Sequence, residues 1–71
     1  MNIIILGAGR VGESVTEHLV SEHNDITVID SDARLLQNLQ DRFDVRCIQA
    51  DGTQPSALEE AGAAYADLIL A

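Results

Sequence analysis

At 71 residues, 46% of them apolar and 23% charged, the chain has the composition of a folded segment rather than a disordered or fibrous one. Twelve Asp and Glu stand against four Arg and no Lys, for a formal net charge of −8, which leaves no basic footprint for nucleic acid or anionic lipid. The missing Lys also excludes a Walker-type phosphate loop and Schiff-base chemistry within these residues.

The amino-terminal run Ile3-Ile4-Ile5-Leu6 is rich in β-branched residues and continuous, which predicts a strand buried on both faces. It has neither the positive n-region of a signal peptide nor the length of a spanning helix, because Gly7 interrupts it. From Arg10 to about Glu22, Val11, Val15 and Leu19 recur every four residues, with Glu13, Glu17 and Ser21 on other faces. That spacing predicts an amphipathic helix. Asn24-Asp25 ends it, and Ile26 to Ile29 is the second strand. Ser31 or Asp32 is placed to cap a second helix whose buried stripe is Leu35, Leu36, Leu39 and Phe43.

Val45 to Ala50 is the third strand, and Asp51-Gly52-Thr53 is a loop. A third helix follows, started either by Pro55 at its first position or by a Ser56–Glu59 capping box, and stopped at Gly62. A fourth strand begins at Asp67-Leu68-Ile69-Leu70-Ala71. Strands alternating with helices in this way imply right-handed βαβ units. The fold class is therefore α/β, a Rossmann-like parallel sheet with flanking helices. Two helices should cover one face and only the short third helix the other. Residues 1–71 are thus expected to be the first half of a larger doubly wound domain, incomplete at the carboxyl end.

Gly7-Ala8-Gly9-Arg10-Val11-Gly12 fits the pattern G-x-G-x-x-G. It follows a strand, opens a helix, and precedes an acidic residue at the end of the second strand, Asp30. Gly7 allows the tight turn, Gly9 lets a pyrophosphate approach the backbone, and Gly12 lets the helix pack close to the sheet. Helix N–H groups would hold the phosphates, and Asp30 would accept from ribose hydroxyls. A carboxylate there repels a 2′-phosphate, which favours NAD or an adenosine nucleotide over NADP. The plain alternatives are a Gly-rich connecting turn and a helix-capping Asp30.

Arg10 opposes the dipole of the helix it begins, so it needs a partner. A bound phosphate would serve, as would a surface pair with Glu13 or Asp32. Asp51 and Gly52 lie on the same sheet edge and would contact the adenosine half, or form a simple turn with Thr53 capping the next helix. Arg34 either reaches the adenine side or is an exposed helix residue. Cys47, the only cysteine, permits no intrachain disulfide and fits a reducing compartment. It reads as a small core residue pointing from a central strand. His18 and His23, five apart, do not share a helix face for a metal, and the two aromatics, Phe43 and Tyr65, give no stacking platform for single-stranded nucleic acid. No nucleophile–base pair or carboxylate dyad is legible, so any catalytic residues would lie beyond Ala71.

The runs Met1 to Gly12 and Asp25 to Asp30, with Ala61-Gly62 ahead of Ala66-Asp67, resemble the RCK or KTN family, the nucleotide-binding domains that regulate potassium conductance. An Arg at the fourth place of the glycine motif is shared with that family. The resemblance covers the whole chain. It implies a non-enzymatic cytoplasmic subunit, peripheral to the inner side of the membrane, that binds NAD or NADH, or ATP or ADP. It also implies assembly into homo-oligomeric dimers or rings and docking on a membrane-embedded potassium-translocating subunit whose gate it controls. Carried over by position, the nucleotide contacts fall on Gly7, Ala8, Gly9, Arg10 and Val11, on Asp30, and on Asp51 and Gly52. The other function open to the same fingerprint is the cofactor half of an NAD-dependent dehydrogenase. The sequence after Ala71 would separate the two.

Overall fold

The computed structural model describes residues 1–51 and 54–70. Its elements are β1 (Asn2–Leu6), α1 (Arg10–Val20), β2 (Asp25–Asp30), α2 (Ala33–Arg42), β3 (Arg46–Gln49), α3 (Pro55–Glu60), a 3-10 turn over Ala63–Tyr65, and β4 (Leu68–Leu70). All pairings are parallel, in the order β3-β2-β1-β4. After β3 the chain crosses β2 and β1 to reach the far side of β1. That reversal carries α3 to the face opposite α1 and α2, as a doubly wound sheet requires.

Register and alternation divide the strand side chains between two cores. Ile3 pairs with Ile26 and Ile5 with Val28, and these four are buried with Leu36 and Leu39 of α2 and flanked by Val15 and Leu19 of α1. On the other face Ile4 and Ile29 are buried with Ala61, beside Leu58, Ala63 and Ala66. Every strand position on β1 and β2 that the two layers enclose is aliphatic or Thr, which is what burial on both faces demands.

The local signals resolve as follows. Asp32 is the cap of α2: its Oδ1 accepts from the Arg34 N–H at 2.9 Å. Pro55 takes the first position of α3, which has no side-chain cap, so the Ser56–Glu59 box does not form. Gly62 ends that helix in the left-handed region at φ +85°. The Asn24 amide closes the end of α1 by donating to the Leu19 carbonyl at 3.0 Å.

Two expectations are corrected. Val11 does not belong to the buried stripe of α1; it is 78% exposed, and the residue driven fully inside is Thr16. The apolar repeat at Val15 and Leu19 is real, but at position 11 the helix has only begun and projects past the end of the sheet. Cys47 lies on β3, which is an edge of the described sheet rather than its centre. It still packs against the core, its thiol directed at the Leu36 carbonyl at 3.6 Å.

Candidate functional site

The carboxyl ends of β1, β2 and β3 are laced together by backbone hydrogen bonds. Gly7 N–H donates to the Ile29 carbonyl at 2.8 Å, and Ala50 N–H to the Asp30 carbonyl at 3.0 Å. Gly7 makes its turn at φ +119°, a conformation closed to ordinary side chains. Gly12 faces inward: a Cβ there would sit 2.1 Å from the Gly7 carbonyl oxygen and 2.9 Å from its carbon. The third glycine of the motif is therefore required by the protein's own packing.

Gly9 is different. Its φ of −72° is ordinary, and a Cβ there would meet nothing within 4 Å. It is also the N-cap of α1 and supplies no side-chain cap, so the first-turn N–H groups, which have no intrahelical acceptor, face outward uncapped. They border a cleft of about 500 Å³ floored by Ile5 and Leu6 and walled by Gly9, Arg10, Val11 and Val15, with Leu70 opposite. The cleft lies between β1 and β4, at the point where strand order reverses. That is where open parallel sheets take their ligands. A second groove, of about 430 Å³, opens at the amino ends of β1, β2 and β3 near Asp25 and Arg46, away from the glycine loop.

Asp30 sits half-buried at the end of β2 and uses both carboxylate oxygens. Oδ2 accepts from the Ala8 N–H and Oδ1 from the Asp32 N–H, each at 2.8 Å. Ala8, 2% exposed, has its amide committed to this contact, so it is not among the donors that the loop leaves for a ligand. Each oxygen of Asp30 keeps a further lone pair for an incoming hydroxyl. Arg10 is exposed and has no carboxylate partner among the described residues; Glu13, its neighbour one turn along, is paired with Arg42 instead. Asp51 is exposed at the same sheet edge, one residue past the Ala50 amide bound to Asp30, and its carbonyl accepts from Gln54 N–H at 3.0 Å. Gly52 and Thr53 lie outside the described residues.

Residues 3–71 match the TrkA-N domain model. The chain belongs to the TrkA-N domain family. Over all 71 residues it is 52% identical to the Trk system potassium uptake protein TrkA of Haemophilus influenzae and 49% identical to that of Vibrio alginolyticus. It is 35% identical to a TrkA homolog of Methanothermobacter thermautotrophicus. The chain spans 16% of the length of the first two relatives and 33% of the third.

Within this TrkA-N domain the structure brings Gly7, Gly9, Arg10, Val11 and Gly12 to one cleft, with Ala8 and Asp30 joined just behind them. Arg34 is an exposed residue of α2. Burial pushes the Cys47 thiol pKa up, which disfavours the thiolate a nucleophile needs. Among the described residues no group of three His, Cys, Asp or Glu is placed to hold a metal, and no helix is long and apolar enough to cross a membrane. Sequence reading missed the Asp30–Ala8 tie and the Glu13–Arg42 pair. Both join residues far apart in the chain, and neither leaves a local pattern.

Proposed function

We propose that this TrkA-N domain binds NAD or NADH, with ATP or ADP as alternatives, and serves as a cytoplasmic regulatory part of a Trk-type potassium uptake system rather than as an enzyme. Gly9 carries the proposal. Nothing among the described residues requires glycine there, yet a Cβ would fill space beside the uncapped first turn of α1. A pyrophosphate approaching that backbone accounts for the residue.

In this reading the Arg10, Val11 and Gly12 N–H groups and the Arg10 guanidinium hold the phosphates, and the spare lone pairs of Asp30 take the ribose hydroxyls. Asp51 and Gly52 border the adenosine side. The bound nucleotide contributes charge and shape, not reaction chemistry. Its differential affinity for two arrangements of the strand-end loops biases the gate of a membrane-embedded potassium-translocating subunit. Residues 1–71 form the first half of the nucleotide-binding domain of a homo-oligomeric assembly. The names of the relatives support the potassium-uptake role over the dehydrogenase alternative, which shares the glycine fingerprint but has no such support.

Side-by-side calorimetry of the full-length protein with NAD, NADH, ATP, ADP and NADP tests the proposal. Binding of the first four with rejection of NADP is expected. Tightest binding of NADP would refute the role given to Asp30, and no binding of any of the five would refute the nucleotide reading.

A further inference from the structure

The chain offers an anionic ligand little positive charge. Of its four arginines, Arg10 alone lies in the cleft, against a net charge of −8. Glu13 is a double hazard to that site. It lies in the first turn of α1, where its charge repels any anion held at the helix end, and it stands three residues from Arg10. That separation puts the two side chains on neighbouring positions of the helix surface, within pairing distance. A Glu13–Arg10 pair would use up the cation of the cleft.

The structure shows a different pairing. Glu13 Oε1 is bound by the Arg42 guanidinium, which comes from the last turn of α2. Arg42 is held in place from a second side by the Phe43 ring, whose centroid lies 4.8 Å from the guanidinium carbon. The pair is partly sheltered, with the Arg42 and Glu13 side chains 41% and 33% exposed. Arg10 is left with no carboxylate partner among the described residues.

We propose that Arg42 is a positioning residue for the phosphate site: by holding Glu13 it cancels a repulsive charge and keeps Arg10 free for the ligand. Arg42 itself does not reach the cleft. The inference rests on the nucleotide reading above and adds to it a residue outside the glycine fingerprint.

The test measures ADP and NADH affinity in the full-length protein for Arg42→Gln, Glu13→Gln and the double variant. All three lose the ion pair, so a merely structural role predicts the same direction of change in each. The positioning role predicts opposite directions. Arg42→Gln strands a free carboxylate beside Arg10 and should weaken binding about fivefold at low salt. Glu13→Gln removes that carboxylate and should tighten binding about twofold. The double variant should return to within about twofold of the wild type, and raising the salt to roughly 0.5 M should shrink all the differences.

Weakening by both single changes, or a double variant as weak as Arg42→Gln, overturns the inference. If Arg42→Gln does not fold, Glu13→Gln decides alone, because any loss of affinity there contradicts the argument. A wild-type protein that binds none of NAD, NADH, ATP, ADP and NADP overturns the nucleotide reading and this inference with it, whereas wild-type binding with unmoved variants overturns only the inference.

Discussion

On one face of the sheet Ile3, Ile5, Ile26 and Val28 lie beneath α1 and α2, helices of eleven and ten residues. On the other, Ile4 and Ile29 lie beneath the six residues of α3 and a 3-10 turn, which offer Leu58 and a set of alanines. The strands do not account for the contrast. Leu68-Ile69-Leu70 is as apolar as Ile3-Ile4-Ile5, yet Leu68 and Ile69 stay 41% and 45% exposed while the three isoleucines of β1 are at most 3% exposed. Leu68 and Ile69 lie on opposite faces of β4, an edge strand of the described sheet, whereas β1 is flanked by a strand on each side. What a strand buries depends on the neighbours that flank and cover it.

The largest expected effect lies where the well-covered half meets the glycine loop. Gly12→Ala forces a methyl group against the Gly7 carbonyl and should cost at least about 3 kcal/mol in urea denaturation. Gly9→Ala, three residues earlier and facing open space, should cost under about 1 kcal/mol while abolishing ADP binding. Equal stability losses at the two positions would contradict the division between a packed glycine and one that faces open space.

Between the faces, Leu39→Ala under the first should cost about 3 kcal/mol, because the site is fully enclosed and leaves a cavity. Leu58→Ala under the second should cost about 1–2 kcal/mol, since that side chain is only partly buried. Comparable losses would mean that α3 closes its face as tightly as the longer helices close theirs. A smaller effect of opposite sign is expected at Thr16, whose hydroxyl is buried without a hydrogen-bond partner. Thr16→Val should raise stability by about 1 kcal/mol. A loss on thermal denaturation would show that the hydroxyl is satisfied.

Much of this was legible in the residues themselves. Strand and helix order follow from apolar period and from Gly and Pro punctuation, and the placement of α3 on the opposite face follows from the doubly wound fold class that this order implies. The glycine loop was legible because its spacing stands directly between a strand and a helix. The structure gives Gly7 and Gly12 separate reasons, a positive φ and a close backbone contact. Val11 was misread because its spacing from Val15 is right for a core stripe, and spacing carries no record of where a sheet ends beneath a helix. The position of Cys47 was misread because an apolar strand looks the same at an edge as in the middle. The contacts of Asp30 with Ala8 and of Glu13 with Arg42 depend on how two loops and two helices come together, and no local period encodes that.

The bonds around Asp30 have a consequence for how the cleft comes into being. Its tie to the Ala8 amide spans 22 residues, its tie to Asp32 spans two, and the Gly7–Ile29 bond closes the same short circuit. The shape of the glycine loop is thereby set within the first βαβ unit, by bonds that all lie between residues 7 and 32 and involve neither β3 nor β4. The later strands add one wall, at Leu70. The glycine-loop side of the cleft is thus fixed by residues 5–32, and among the described residues β4 meets it at a single side chain.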